Sequence, residues 1–99
     1  MTEHDSRCFR PVYGVAYRSV EGRVVIVHPR ENRLLTLNET ASEVWNRLDG
    51  THCVQEIIRE LEELFDTSQD RLSEDVTSFL EIMEERCLIE RCGVEEPDR

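Results

Sequence analysis

The pattern of apolar and polar residues changes its period once along this chain. In the first part, residues 15–20 alternate as a half-buried β-strand does, and a Glu21-Gly22 turn follows them. Residues 24–27 are all β-branched, and 34–37 form a third apolar run after a segment that contains proline and asparagine. This pattern predicts an antiparallel three-stranded meander whose third strand lies at an edge of the sheet.

From residue 38 onward, apolar residues recur every three or four positions, as they do on one face of an amphipathic helix. Asn38 or Thr40 can cap the first helix, and residues 40–43 fit a capping box. Gly50 stands where a left-handed residue ends many helices. Trp45 is expected to anchor the core, together with its neighbours on the apolar face, Ala41, Val44 and Leu48.

Two further helices follow from the same spacing. The second is predicted over residues 54–65, and Thr67 or Ser68 is expected to cap a third helix that Leu88 and Ile89 close. The residues expected to face inward are Val54, Ile57, Ile58, Leu61, Leu64 and Phe65 in the second helix, and Leu72, Val76, Phe79, Leu80 and Met83 in the third.

The predicted order of elements is therefore βββααα. A three-stranded sheet is too small to bury its own apolar residues, so the helices must cover one of its faces. The predicted fold class is α+β and winged helix-turn-helix-like, with a three-stranded antiparallel sheet followed by a three-helix bundle. We expect the folded domain to span residues 12–91, with flexible polar tails at 1–11 and 92–99, where no periodicity is visible.

The net charge of −10 is distributed unevenly along the chain. Residues 1–33 carry six arginines and four acidic residues, whereas residues 34–99 carry six arginines and eighteen acidic residues. The longest apolar run, 24–27, is far shorter than the roughly 20 residues that a membrane-spanning helix requires. The first residues also lack the basic and apolar regions of a signal peptide. These observations predict a cytoplasmic protein that does not contact a membrane.

Candidate chemistry is sparse in this sequence. The four cysteines, at positions 8, 53, 87 and 92, form no Cys-x-x-Cys pair, and the histidines are scattered, so we expect no metal site. There is no glycine-rich phosphate loop, no dinucleotide-binding motif and no Ser/His/Asp set at telling positions. We therefore expect no catalytic residues, no enzymatic activity and no cofactor, and a binding module is the favoured class.

Two kinds of ligand fit such a module. The winged helix-turn-helix plan makes a DNA-binding transcriptional regulator one alternative, because a recognition helix can enter the major groove. The third helix, however, would present mostly acidic side chains to the phosphates, which opposes nucleic-acid binding: Asp70, Glu74, Asp75, Glu81, Glu84 and Glu85. The other ligand is an extended peptide, which can pair with the backbone of the edge strand at 34–37.

The segment from Leu34 to Glu90 resembles the PqqD family, small proteins of pyrroloquinoline quinone biosynthesis and of the wider set of recognition elements for ribosomally made, modified peptides. The likeness covers about residues 14–90. It is carried by an ordered string of short motifs rather than by one: Leu37-Asn38, Thr40-Ala41, Val44-Trp45, Leu48-Asp49-Gly50, Val54, Glu56-Ile57, Phe65-Asp66, Asp75-Val76, Phe79-Leu80 and Leu88-Ile89.

The resemblance implies a peptide chaperone without catalysis of its own. Such a protein binds the leader of a precursor peptide and presents the core to a modifying enzyme, commonly a radical S-adenosylmethionine enzyme. In the family the leader lies as an added strand between the third strand and the third helix. Carried onto this chain, the implied peptide-binding residues are Leu34, Leu35, Thr36, Leu37, Asp75, Val76, Phe79, Ile82 and Met83. An exposed edge strand also permits pairing between two copies, which leaves a homodimer open.

Overall fold

The structure, a computed structural model, describes residues 5–92. Three helices pack against one face of a three-stranded sheet, and a separate two-stranded sheet joins the beginning and the end of the described chain. In chain order the elements are β1 (Cys8–Pro11), β2 (Ala16–Val20), β3 (Arg23–Val27), β4 (Leu34–Thr36), α1 (Glu39–Asn46), α2 (Val54–Phe65), α3 (Gln69–Glu85) and β5 (Ile89–Cys92). The predicted α+β class, with its meander and three helices, is confirmed, whereas the second sheet was not predicted.

The three-stranded sheet has the order β2-β3-β4 and is antiparallel throughout. A two-residue turn joins β2 to β3, with Glu21 and Gly22 at φ values of 53° and 84°. Positive φ at both central residues is what a hairpin turn of type I′ requires. Val24 and Ile26 of the central strand are buried, so this side of the sheet faces the helices and the alternate residues face away. Strand β4 lies at an edge, as predicted.

The helix caps decide between the alternatives that the sequence left open. Asn38 caps α1, because its Oδ1 accepts a hydrogen bond of 2.8 Å from the Ala41 backbone N–H. The capping box predicted at residues 40–43 is therefore wrong, since the helix has already begun at those positions. Ser68 rather than Thr67 caps α3, through its Oγ. At α2, Glu56 Oε1 accepts from the backbone N–H of the N-cap residue.

The core lies between the helices and the inner face of the sheet, and Trp45 is its anchor, as predicted, with 2% of its surface exposed. The Tyr17 ring of β2 meets the indole edge to face, with a centroid separation of 5.2 Å. Leu64 departs from the predicted inward face and is 53% exposed. It lies in the last turn of α2, on the opposite flank of the apolar face from Ile58, which is buried.

The two-stranded sheet corrects the predicted domain boundary. Residues 8–11 were expected in a flexible tail, but they form β1 and pair in antiparallel register with β5. Phe9, which is 1% exposed, explains the difference, because its ring joins the core and carries the strand with it. Cys92 likewise belongs to β5, whereas the tail residues 1–4 and 93–99 lie outside the described residues.

The end of α3 also differs from the prediction. The helix ends at Glu85 instead of continuing to Leu88 and Ile89. Cys87 adopts the left-handed conformation, with φ at 62°, and its N–H bonds to the Glu84 carbonyl while the Leu88 N–H bonds to that of Met83. This pair of bonds is a Schellman motif, which reverses the chain and directs it into β5. Glycine usually fills that position, so a cysteine there gave no signal in the sequence.

Candidate peptide-binding groove

The site begins with the backbone of the edge strand. Two hydrogen bonds define how β4 pairs with β3: the His28 N–H donates to the Arg33 carbonyl, and the Leu37 N–H donates to the Val24 carbonyl, each at 2.9 Å. In an antiparallel pair, residues alternate between positions that bond to the neighbouring strand and positions that do not. The bonding positions on this side of β4 are therefore 33, 35 and 37.

The alternation leaves Leu34 and Thr36 with their N–H and C=O groups directed away from β3. No other described strand lies along that side of β4. The edge thus offers two donors and two acceptors in extended geometry, which is what an added strand needs. Leu35, by contrast, uses its backbone groups within the sheet, and its side chain packs against the core.

A groove of about 320 Å³ lies beyond the end of β4, between the beginning of α1 and the middle of α3. Its apolar walls include half-buried Phe79 and Ile82, which is 46% exposed, with Ala41 and the buried Val44 from α1. Polar groups border the same space: Asn38, Thr40, Asp75 and Ser78. The groove therefore combines apolar contact area with hydrogen-bonding groups, as peptide sites do.

The nine residues expected at the site divide into two groups. Six have accessible side chains: Leu34, Leu35, Thr36, Asp75, Phe79 and Ile82. The other three, Leu37, Val76 and Met83, are 5%, 0% and 3% exposed and belong to the core. Of the accessible six, the structure brings Asp75, Phe79 and Ile82 to one groove. Leu34 and Thr36 project from the face of the sheet opposite the helices, and their backbone groups point outward along the edge of the sheet.

Two buried polar residues hold β4 in place, and the sequence interpretation assigned neither of them a role. Ser42 of α1 accepts a hydrogen bond of 2.9 Å from the Val24 N–H and donates one of 3.3 Å to the Leu37 carbonyl. Its hydroxyl thereby ties the helix to both β3 and the end of β4. Ser42 lies beside the predicted apolar face of α1, and its position in the sequence gave no signal of this role.

His28 performs a similar function at the other end of β4. Its Nδ1 accepts from the backbone N–H groups of Arg30 and Glu31, so the proton lies on Nε2, which donates to the Arg86 carbonyl at 3.1 Å. The ring therefore fixes the loop before β4 and joins it to the end of α3. Its side chain is 8% exposed.

A second, smaller cleft of about 50 Å³ lies beside His28, at the beginning of β4. Leu34 and Leu35 line it, together with the charged side chains of Glu31, Arg33 and Arg86. This cleft is bordered by Arg86, the residue that follows α3, whereas the larger groove near Asp75 is bordered by Asn38, two residues beyond β4.

Metal sites and membrane-spanning helices are both absent from the part of the chain that the structure describes. Within residues 5–92, no group of three or more His, Cys, Asp or Glu side chains is placed to hold a metal ion. No helix among the described elements is long and apolar enough to cross a membrane.

Comparison with known proteins identifies the family. A family model described as "Coenzyme PQQ synthesis protein D (PqqD)" matches residues 23–89, which is more than half of the chain. The chain belongs to the PqqD family. The match includes β3, β4 and all three helices, and therefore every residue of the candidate site. Among curated protein sequences no match is found.

Solved structures show the same fold. A structure described as TbiB1 in complex with the TbiA(beta) leader peptide has a TM-score of 0.74 at 18% identity, with 88% of this chain and 99% of that chain covered. A lasso peptide synthetase B1 complexed with the leader peptide has a TM-score of 0.73 at 17% identity, with coverage of 83% and 96%.

The third is a solution structure of the PqqD truncation of Methylobacterium extorquens PqqCD, described as a stand-alone RiPP recognition element. RiPP denotes a ribosomally synthesized and post-translationally modified peptide. Its TM-score is 0.70 at 25% identity, and the alignment covers 84% of this chain and 88% of the other. PqqD-family membership and the shared fold thus rest on independent comparisons of sequence and of structure.

Proposed function

We propose that this PqqD-family protein is a non-catalytic chaperone that binds the leader of a ribosomally made precursor peptide and presents the attached core to a modifying enzyme. One observation carries the proposal: β4, whose Leu34 and Thr36 direct backbone groups outward, leads through Leu37 into Asn38, which borders a groove with apolar walls. A leader that pairs with β4 extends the sheet by one strand. Its side chains then reach Phe79 and Ile82 of α3.

The solved relatives support this assignment, since two of them were determined with a leader peptide and the third is described as a recognition element. The chemistry of the groove agrees, because apolar walls and a free strand edge suit an extended peptide better than they suit a small polar metabolite.

The partner enzyme in this proposal is a radical S-adenosylmethionine enzyme that acts on the core peptide in the cytoplasm, with pyrroloquinoline quinone as one of the products such a pathway makes. The chaperone contributes proximity. A core peptide held by a short tether reaches an effective concentration of about the millimolar scale at the enzyme. The protein itself then needs no cofactor, no nucleic acid and no membrane. A homodimer formed through β4 would occupy the same edge, so it would compete with the leader.

The test is affinity capture from the protein's own lysate under anaerobic conditions, with bound peptides and proteins identified by mass spectrometry. We expect a short precursor peptide together with an iron–sulfur enzyme. Nuclease-sensitive DNA without either of these would instead support the DNA-binding alternative and contradict the proposal.

A matched pair of proline variants locates the binding edge. Thr36→Pro removes an outward N–H from β4, and we expect it to weaken binding of the captured peptide by about five- to tenfold through one lost backbone hydrogen bond. Ser19→Pro is the control, because Ser19 pairs with Val24, whose backbone faces β4, so the Ser19 N–H points out of the opposite edge. Equal loss of affinity in both variants would place the peptide elsewhere.

A further inference from the structure

The two ends of β4 differ in the charge of the side chains around them. At the end of β4, Asp75 borders the larger groove, and no described side chain forms an ion pair with it. At the beginning of β4, Arg33 and Arg86 border the smaller cleft, again without an ion pair to a described residue. Glu31, in the same cleft, lies 3.9 Å from His28 Nε2.

The direction in which a peptide adds to β4 decides which of its residues meets each of these charges. Antiparallel pairing continues the pattern of the existing sheet and is slightly more stable per residue than parallel pairing. A peptide antiparallel to β4 begins opposite Thr36, near Asp75, and ends opposite Leu34, near Arg33 and Arg86. Apolar side chains between its ends would lie against Phe79 and Ile82.

From this arrangement, and resting on the proposed function, we infer that the protein selects leaders with a defined charge order: a lysine or arginine first, an apolar stretch next, and an aspartate or glutamate last. The three groups face Asp75, the α3 wall and the Arg33–Arg86 pair respectively. Exposed ion pairs contribute modestly, about two- to fivefold in affinity each, so the order acts mainly on specificity and orientation. The net charge of −10 alone would indicate a uniformly basic ligand, whereas this preference also includes an acidic residue at one end.

The test uses a displayed library of random twelve-residue peptides, selected on the wild-type protein. We expect enriched peptides to carry a basic residue before the apolar stretch and an acidic residue after it. A double variant, Asp75→Arg with Arg86→Glu, keeps the net charge and should enrich the reverse order. The control is Arg59→Glu with Glu63→Arg, a charge exchange on the exposed face of α2, which should leave the wild-type preference unchanged.

The outcomes separate this inference from the proposed function. Enriched strand-forming peptides without a charge order, or with the same order in the Asp75→Arg/Arg86→Glu variant, overturn the inference and leave peptide binding intact. Failure to enrich any peptide overturns both.

A second inference rests on a different region, where three cysteines from distant segments meet. Cys8 pairs with Cys92 across the β1–β5 sheet, and it also forms an isolated bridge with Cys53 before α2. None of the cysteines is in a disulfide. The Cys92 Sγ lies close to Gly50, since a Cβ atom added to Gly50 would be 3.3 Å from this sulfur. The thiol therefore fills the space next to Gly50.

The register makes Cys8 and Cys92 one candidate pair of thiols. The Val12 N–H donates to the Leu88 carbonyl, and the alternation along β1 and β5 makes Cys8 and Cys92 a hydrogen-bonded pair as well. Such pairs have Cα atoms about 5.5 Å apart and side chains on the same face, which agrees with the usual Cα separation in disulfides. Burial and the neighbouring thiols, Cys92 first and then Cys53, raise the pKa of Cys8.

We propose that Cys8 and Cys92 form a reversible disulfide that closes the β1–β5 sheet covalently. The two thiols lose two protons and two electrons as the sulfur–sulfur bond forms, and a low-molecular-weight disulfide such as oxidised glutathione accepts the electrons and becomes two thiols. Because the bond would join the first and last described strands, it would restrict almost the whole unfolded chain and raise the melting temperature.

The test incubates the purified full-length protein with oxidised glutathione at pH 8.5, where more thiolate is present to react. Non-reducing peptide mapping should find a Cys8–Cys92 link in the wild type and in the Cys53→Ser and Cys87→Ser variants. A higher melting temperature should return to its starting value after reduction. A Cys8–Cys53 link, intermolecular links or glutathione adducts alone would overturn the assignment.

Discussion

The two edges of the three-stranded sheet look alike in the sequence but differ in the structure. Strand β2 is exposed along its whole length, and its Tyr17 ring lies against Trp45. Strand β4 is shorter, but it leads into the groove between α1 and α3. Both strands direct backbone groups outward along edges that no other described strand occupies. In the proposed function a free edge is only half of a peptide site, because side-chain pockets next to the edge supply the specificity.

The largest expected effect on stability comes from replacing Trp45, the core residue that supports both β2 and the helix beside β4. Trp45→Ala should lower the free energy of unfolding by about 3–5 kcal/mol, as for other large core aromatics. Trp45 contacts β2 through Tyr17, and its helix carries the groove residues Ala41 and Val44. Urea denaturation measures the change, with exposed Asn46→Ala in the same helix as the control. If Trp45→Ala unfolded at the wild-type urea concentration, the core assignment would be wrong.

A smaller change should separate the two edges. Ser42→Ala leaves the buried Val24 N–H without its partner, which should cost about 1–3 kcal/mol of stability. Because that hydroxyl joins α1 to β3 and the end of β4, amide hydrogen exchange should accelerate at Val24 and Leu37 more than in β2. The exposed Ser19→Ala substitution in β2 is the control. A uniform increase in exchange across the sheet would refute this specific role of Ser42.

The smallest expected effect on stability comes from the contact between Asp49 and His52, which lies outside both edge strands. Asp49 Oδ1 accepts hydrogen bonds from Thr51 and His52, and the Asp49 carboxylate raises the pKa of His52. A raised pKa in the folded state means that this stabilisation is complete below about pH 6.5, the unfolded value, and is lost as the pH rises through the folded value. The melting temperature should therefore fall slightly between pH 6 and pH 8, while peptide affinity stays constant.

His52→Gln is the control for that pH dependence. The variant should lose the part of the melting-temperature change that His52 causes. An identical pH profile for variant and wild type would show that the Asp49–His52 contact contributes nothing to stability.

The elements of the fold could be predicted where apolar residues recur with the period of a strand or a helix. Three strands and three helices followed from alternation and helical spacing, and the core around Trp45 followed from the apolar faces. The β1–β5 sheet could not be predicted in this way, because β1 has only four residues and one buried side chain, Phe9. The Schellman turn at Cys87 was equally hidden, since no glycine marks it.

The site was predictable only to the level of the segment. The sequence and the family resemblance indicated β4 and α3, but accessibility depends on strand register and helix rotation, which neither determines to one residue. Leu35 and Thr36 are neighbours with opposite backbone directions. In α3, Val76 is buried whereas Asp75 is exposed. The roles of Ser42 and His28 depend on contacts with residues distant in sequence, which no local pattern reveals.

The β1–β5 sheet has a consequence for protein engineering. Because Cys8 stands directly opposite Cys92, the described residues 8–92 form a unit whose first and last strands lie side by side. A unit of this kind can be placed within a surface loop of a host protein with little separation between the two junctions, and it can be circularly permuted by joining its ends with a short linker. The β4 edge would remain open in either arrangement, so the proposed peptide-binding surface could be transferred to another protein together with its domain.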